Sequence, residues 1–125
     1  MHSKQELIET AVLNYIVKQS VQLGKTNRKE IQENLVSLGL VKPSSSPTLN
    51  SVKVLVLNLQ NRFKKLGIPF LEQSAVISNE YTISYAALEY CREFLASPLY
   101  DEEGMLVGEI IQHPIVLDEE REMLI

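Results

Sequence analysis

The chain has 125 residues, 45% hydrophobic and 22% charged, which is enough to bury the core of one ordinary domain. Its single cysteine excludes a disulfide framework and a cysteine zinc cluster, and no apolar run reaches the ~18 residues of a membrane span. The first ten residues contain no apolar signal core, so we expect a cytoplasmic protein. The net charge of -4 is uneven, because residues 1–67 carry ten Lys or Arg and four acids while residues 68–125 carry two and twelve. This asymmetry favours a basic working face and an acidic second half.

Two helices are predicted at the start of the chain. Ser3 and Glu6 form the S-x-x-E capping box that opens the first helix, and apolar residues then recur at helical spacing until Gly24 ends it. Thr26 or Asn27 caps a second helix, which ends at the next glycine.

The third predicted helix begins at the Ser46-Pro47 pair and runs to about Leu66, with Gly67 as its stop. Its core face is apolar at helical spacing: Leu49, Val52, Leu55, Val56, Leu59, Phe63 and Leu66. The opposite arc contains no acid, and its members are Lys53, Val54, Leu57, Asn58, Gln60, Asn61, Lys64 and Lys65, with Arg62 at the edge. Amides and cations are the side chains that contact base edges and phosphates, and Val54 and Leu57 suit either thymine methyl groups or burial against another element.

The hydrophobic period changes after Gly67. Residues 70–77 and 81–84 are predicted strands, and a fourth helix, capped by Ser84, runs from 85 to about 96 before Pro98. Residues 99–112 suit a hairpin around 101–104, and 118–125 suit a short helix. We therefore expect a mostly helical α+β protein with a winged helix-turn-helix domain over 1–97 and an acidic extension over 98–125.

The order of these elements, three helices and then a hairpin, is that of a winged helix-turn-helix domain. In such a domain the third helix enters the DNA major groove and the hairpin, or wing, contacts the backbone beside it. A generic small α+β domain is the alternative, because element order alone does not fix function.

The stretch Thr48–Gly67, TLNSVKVLVLNLQNRFKKLG, resembles the recognition helix of OmpR/PhoB-type and ToxR-type winged-helix regulators, above all in its Leu59–Leu66 ending. Thr26–Ile31 is similar to the start of the family's preceding helix, and Asn79–Ile83 is similar to its last wing strand. The resemblance covers residues 4–84 and implies DNA binding by helix 47–66.

The chain departs from that family in its wing. Residues 70–90 contain no Lys or Arg but include Glu72, Glu80 and Glu89, and acids repel phosphate. The initial four-stranded sheet and the receiver domain of typical members are missing. The resemblance therefore supports the fold more than it supports sequence-specific regulation.

The sequence is consistent with two alternative functions. The first is a sequence-specific transcriptional regulator that binds double-stranded DNA through helix 47–66. It is expected to form a homodimer through residues 85–125, since those residues include apolar clusters that must pack against another surface. The alternative is a winged-helix protein-interaction module whose acidic half binds a basic partner protein. The predicted DNA-binding residues are Lys25, Arg28, Lys29, Lys53, Asn58, Gln60, Asn61, Arg62, Lys64 and Lys65.

Catalytic chemistry has no support in the sequence. The glycines lie singly, His2 and His113 are isolated, and no histidine is near Cys91, for which a buried structural thiol is expected. The acids at 101–103 and 118–120 lack the spacing of a calcium loop and are expected to be solvated. We expect no catalytic residue, no cofactor and no metal.

Overall fold

The computed structural model describes residues 4–41, 48–72 and 80–111. In chain order the elements are helix α1 (Lys4–Leu23), strand β1 (Thr26–Asn27), helix α2 (Arg28–Ser37), helix α3 (Thr48–Lys65), strand β2 (Glu80–Tyr81), helix α4 (Tyr85–Tyr90), a π-helical turn (Cys91–Leu95), and strands β3 (Ala96–Tyr100) and β4 (Leu106–Ile111). The protein is an α+β fold, as predicted, and most of the described residues are helical.

The predicted boundaries of the first three helices are confirmed where the structure describes them. Gly24 and Gly67 follow α1 and α3 with φ of 84° and 76°, a left-handed conformation that glycine adopts without a side-chain clash. Asn27 caps α2, and its side-chain oxygen accepts a 2.9 Å hydrogen bond from the backbone N–H of Glu30. The predicted starting residues Ser3, Ser46 and Pro47 lie outside the described residues.

The core lies where α1, α2 and α3 meet. Each helix contributes one apolar stripe that is excluded from water. Phe63 of α3 is fully buried, its ring stacks on Phe70 with centroids 5.0 Å apart, and it meets the edge of Tyr90 at 5.8 Å. This aromatic group joins α3 to the segment that follows it and to α4. The buried stripe residues are Val12, Leu13 and Ile16 of α1, Ile31 and Leu35 of α2, and Val52, Leu55, Val56, Leu59 and Phe63 of α3.

Three extended segments lie side by side next to the helices. β1 pairs with β2 in antiparallel register, Thr26 opposite Tyr81, and on the other side Leu71 forms an antiparallel bridge with Ile83. The pairing of the predicted strands is thus confirmed at their ends. The rest of this predicted hairpin, residues 73–79, lies outside the described residues.

The fourth helix is shorter than predicted. Ser84 caps it as expected and accepts a hydrogen bond from the N–H of Ala87, but α4 gives way to the π-helical turn, and Ala96 already belongs to β3. Pro98 therefore lies inside a strand and does not merely terminate a helix. The reason is tertiary: the chain leaves the helix because residues 96–100 pair with 106–111.

The second sheet is the predicted hairpin, which begins at Ala96 rather than at Leu99. Asp101 organises its turn, because one carboxylate oxygen accepts 2.9 Å hydrogen bonds from the N–H groups of Glu103 and Met105. β4 ends in the core at Ile111, whose N–H donates to Asn14 of α1. β3 therefore spans the predicted boundary between 97 and 98. The predicted helix at 118–125 lies outside the described residues.

Candidate nucleic-acid interface

The outward arc of α3 is solvent-accessible over its described length. Its cations and amides project away from the buried stripe, because positions three or four apart share one face of a helix. Val54 and Leu57 are also exposed, so neither is buried against another element in the described part of the chain. The exposed residues are Lys53, Val54, Leu57, Asn61, Lys64 and Lys65, and Asn58, Gln60 and Arg62 are half-buried.

No acid interrupts this arc, since α3 contains none. Lys53, Lys64 and Lys65 form no ion pair with any other described residue, so their charges are directed at solvent. Gln60 and Lys64 also line a cleft of about 470 Å³ whose other wall is the segment 67–71. The arc can therefore donate hydrogen bonds to an anionic or polar surface that lies against α3.

Arg62 is directed differently from its neighbours. Its Nε lies 3.4 Å from a carboxylate oxygen of Glu9, whose side chain is only 7% exposed, while the Arg62 side chain is 28% exposed. Gln5 donates a hydrogen bond to the other oxygen of the same carboxylate. A buried carboxylate needs such partners, since an unpaired buried charge is strongly unfavourable. The structure therefore places Arg62 between α1 and α3.

The second predicted basic group lies at the start of α2. Lys25 makes a 3.0 Å ion pair with Glu80, and Arg28 donates a 2.7 Å hydrogen bond from Nε to the hydroxyl of Tyr81. Lys29 is exposed. Lys25 and Arg28 thus contact β2 on the β1 side of the three extended segments. The cleft beside α3 is lined by Leu71, which lies on the other side of these segments.

Glu30 is a residue of this region that was not among the predicted site residues. Its carboxylate accepts a 2.8 Å hydrogen bond from the hydroxyl of Thr26, and its backbone N–H is bound by Asn27. An acid in the first turn already offsets the positive end of the helix dipole. The N-terminus of α2 is therefore a weaker phosphate site than a free helix end. The Asn-x-x-Glu spacing is the sequence feature from which this could have been predicted.

Acids accompany the basic groups near the predicted wing. Glu72 is exposed, and Glu80 keeps 42% of its side chain exposed beside Lys25. The ion pair offsets one of these charges locally, but exposed pairs of this kind contribute at most about 1 kcal/mol to stability. The acidic character predicted for this region is present in its described residues.

The single cysteine is buried, and the described ranges contain no cluster of metal-binding side chains. Burial raises the pKa of the Cys91 thiol to about 12, so the thiol stays protonated and unreactive at neutral pH. No group of three or more His, Cys, Asp or Glu in residues 4–41, 48–72 and 80–111 could hold a metal ion. His2 and His113 lie outside these ranges.

Comparisons with protein-family models, curated proteins and solved structures found no match for this chain. Among the residues that the structure describes, no helix is long and apolar enough to cross a membrane.

Proposed function

We propose that this protein is a sequence-specific transcriptional regulator that binds double-stranded DNA through α3 in the cytoplasm. The observation that carries the proposal is the exposed, acid-free arc of α3, which presents Lys53, Asn61, Lys64 and Lys65 together. Amides hydrogen-bond base edges in the major groove, and lysines hold phosphates.

The arrangement of the helices and strands supports the interpretation of this fold as a winged helix-turn-helix domain. A short strand between the first two helices pairs with the strand that follows the third, so the predicted wing strand lies against the helices. α3 then occupies the position of the recognition helix, with the segment after it beside the DNA backbone.

Within this proposal the ten predicted residues divide by role. Lys53, Asn58, Gln60, Asn61, Lys64 and Lys65 contact DNA from α3, and Lys25 and Lys29 contact phosphates from the start of α2. Arg28 and Arg62 act mainly as positioning residues, because each is already bound within the chain by Tyr81 and Glu9. A homodimer formed through residues 85–125 would place one α3 in each of two DNA half-sites.

A titration of a labelled random-sequence duplex, followed by fluorescence anisotropy at several salt concentrations, tests the proposal. We expect affinity to fall steeply with salt, and Lys64→Ala and Lys65→Ala to flatten the log-log slope by ~0.9 for each lost phosphate contact. Lys4→Ala is the matched control, because Lys4 is an exposed lysine on α1. If both α3 variants bind like the wild type, α3 is not the DNA-binding element.

The second candidate function is a protein-interaction module that binds a basic partner. It is favoured by the acids Glu72 and Glu80 near the predicted wing and by the exposed acidic turn at 101–103. In that case the duplex remains unbound even at low salt, while a lysine-rich peptide binds with an affinity that falls as salt rises.

A further inference from the structure

A groove of about 780 Å³ lies between the C-terminal half of α1 and the β3–β4 hairpin. Val17 and Val21 form its wall on α1, and Leu99 and Val107 form its wall on the hairpin. Val21, Leu99 and Val107 are each exposed, and no described residue covers them. Apolar side chains grouped in this way lose contact with water only when another surface enters the groove.

Two cations also line the groove, Lys18 from α1 and Arg92 from the π-helical turn. Both are exposed, and neither makes an ion pair with another described residue. The occupant that fits such a groove is therefore apolar with acidic groups beside its apolar part.

The hairpin tip of this chain has that chemistry. Its turn carries Asp101, Glu102 and Glu103, all exposed. The residues on either side of the turn include exposed apolar side chains, Tyr100, Met105 and Leu106. Tip and groove are adjoining parts of one surface, because Leu99 and Val107 belong to both the hairpin and the groove wall.

We propose that the occupant is a second copy of this chain, with the hairpin tip of each copy seated in the groove of the other. A surface that carries both complementary parts pairs with itself about a two-fold axis, as most soluble homodimers do. In the dimer, acids 101–103 of one copy face Lys18 and Arg92 of the other, and the apolar tip covers Val21 and Leu99. The inference names the surface behind the homodimer of the proposed function, but it does not depend on DNA binding.

Charge reversal tests this arrangement by sedimentation velocity without DNA. The wild type sediments as a dimer of the 14.2 kDa chain at about 100 µM. A groove variant, Lys18→Glu with Arg92→Glu, and a tip variant, Glu102→Lys with Glu103→Lys, are each expected to be monomers, because tip and groove then repel each other. An equimolar mixture of the two variants restores the dimer, since every tip then faces a groove of opposite charge.

Lys4→Glu is the control for the groove variant, as it makes the same change on the same helix outside the groove, and it should remain a dimer. Circular dichroism melting establishes that both variants are folded. The proposal is overturned by a monomeric wild type, by variants that stay dimeric, or by a mixture of folded monomers that fails to associate. Sedimentation measures the mass of the particle without DNA, so the test of the dimer stays valid even if the protein does not bind DNA.

Discussion

Arg62 of α3 and Glu9 of α1 are joined by a 3.4 Å contact between Nε and Oε2 across the helix interface. The carboxylate is the more buried partner, at 7% exposure, so the guanidinium provides the charge that allows an acid to lie in this position. The same contact joins α3 to α1 in addition to the buried apolar stripes of the two helices. A residue on the edge of the candidate interface thus contributes to the packing of α3 on α1.

Arg62→Ala should therefore reduce stability more than it reduces phosphate contact. We expect a loss of about 2 kcal/mol in the free energy of unfolding, because the Glu9 carboxylate loses its cation while still largely buried. Urea denaturation measures the loss, and Lys65→Ala is the control, expected to stay within about 0.5 kcal/mol of the wild type. A stable Arg62→Ala variant with a flattened salt slope would instead assign Arg62 to the DNA contact.

Tyr81→Phe tests the link between β2 and the start of α2. The Tyr81 hydroxyl accepts the 2.7 Å hydrogen bond from Arg28, and its ring is buried. Removing the hydroxyl should lower the free energy of unfolding by about 1 kcal/mol. Tyr85→Phe, which removes a hydroxyl from an exposed ring, should leave stability unchanged in the same denaturation experiment. Equal effects of the two variants would contradict the role of the Arg28–Tyr81 bond.

The helix boundaries could be predicted from the sequence because their causes are local. Asn27 caps α2 through a residue three positions away, and Gly67 ends α3 by its own φ. The end of α4 could not be predicted in this way, because β3 exists only through pairing with residues six to fifteen positions further on. The candidate site divides in the same way. The exposed face of α3 could be predicted from the helical spacing of its apolar residues, whereas the Arg28–Tyr81 contact could not, because it joins residues 53 positions apart.

Phe63→Ala should unfold the protein or nearly so. The ring is fully buried and packs against Phe70 and Tyr90, so its removal leaves a cavity at the junction of three segments. The expected loss is about 3–5 kcal/mol, a large share of the stability of a small domain. Phe94→Ala is the matched control, because Phe94 is 56% exposed and its ring lies 4.8 Å from that of Tyr90, so its loss should cost only about 1 kcal/mol. A Phe63→Ala variant with a wild-type melting temperature would contradict this core.

Cys91 gives a pH-dependent prediction. Its pKa is raised by burial from 9.0 to about 12, so the folded state holds a proton that the unfolded state releases above pH 9. Stability should therefore be unaffected at neutral pH and should fall as pH rises between these two values. Cys91→Ala should remove this component of the pH dependence, measured as the difference between the two unfolding curves at each pH. At pH 8, a thiol reagent should label Cys91 only as fast as the chain unfolds, and rapid labelling of the native protein would contradict its burial.

Glu80→Gln separates the two candidate functions. Glu80 pairs with Lys25 at 3.0 Å and is an acid in the region that would approach the DNA backbone. Replacing its carboxylate by an amide frees the Lys25 charge and removes a repulsive one, so duplex DNA should bind more tightly and the log-log salt slope should steepen by up to ~0.9. Glu93→Gln makes the same change at an exposed acid of the π-helical turn, outside the proposed DNA-binding residues and the hairpin tip, and should not affect DNA affinity. If Glu80→Gln leaves DNA binding unchanged but weakens binding of a lysine-rich peptide, the acidic surface is the working one, and the protein-interaction function takes precedence.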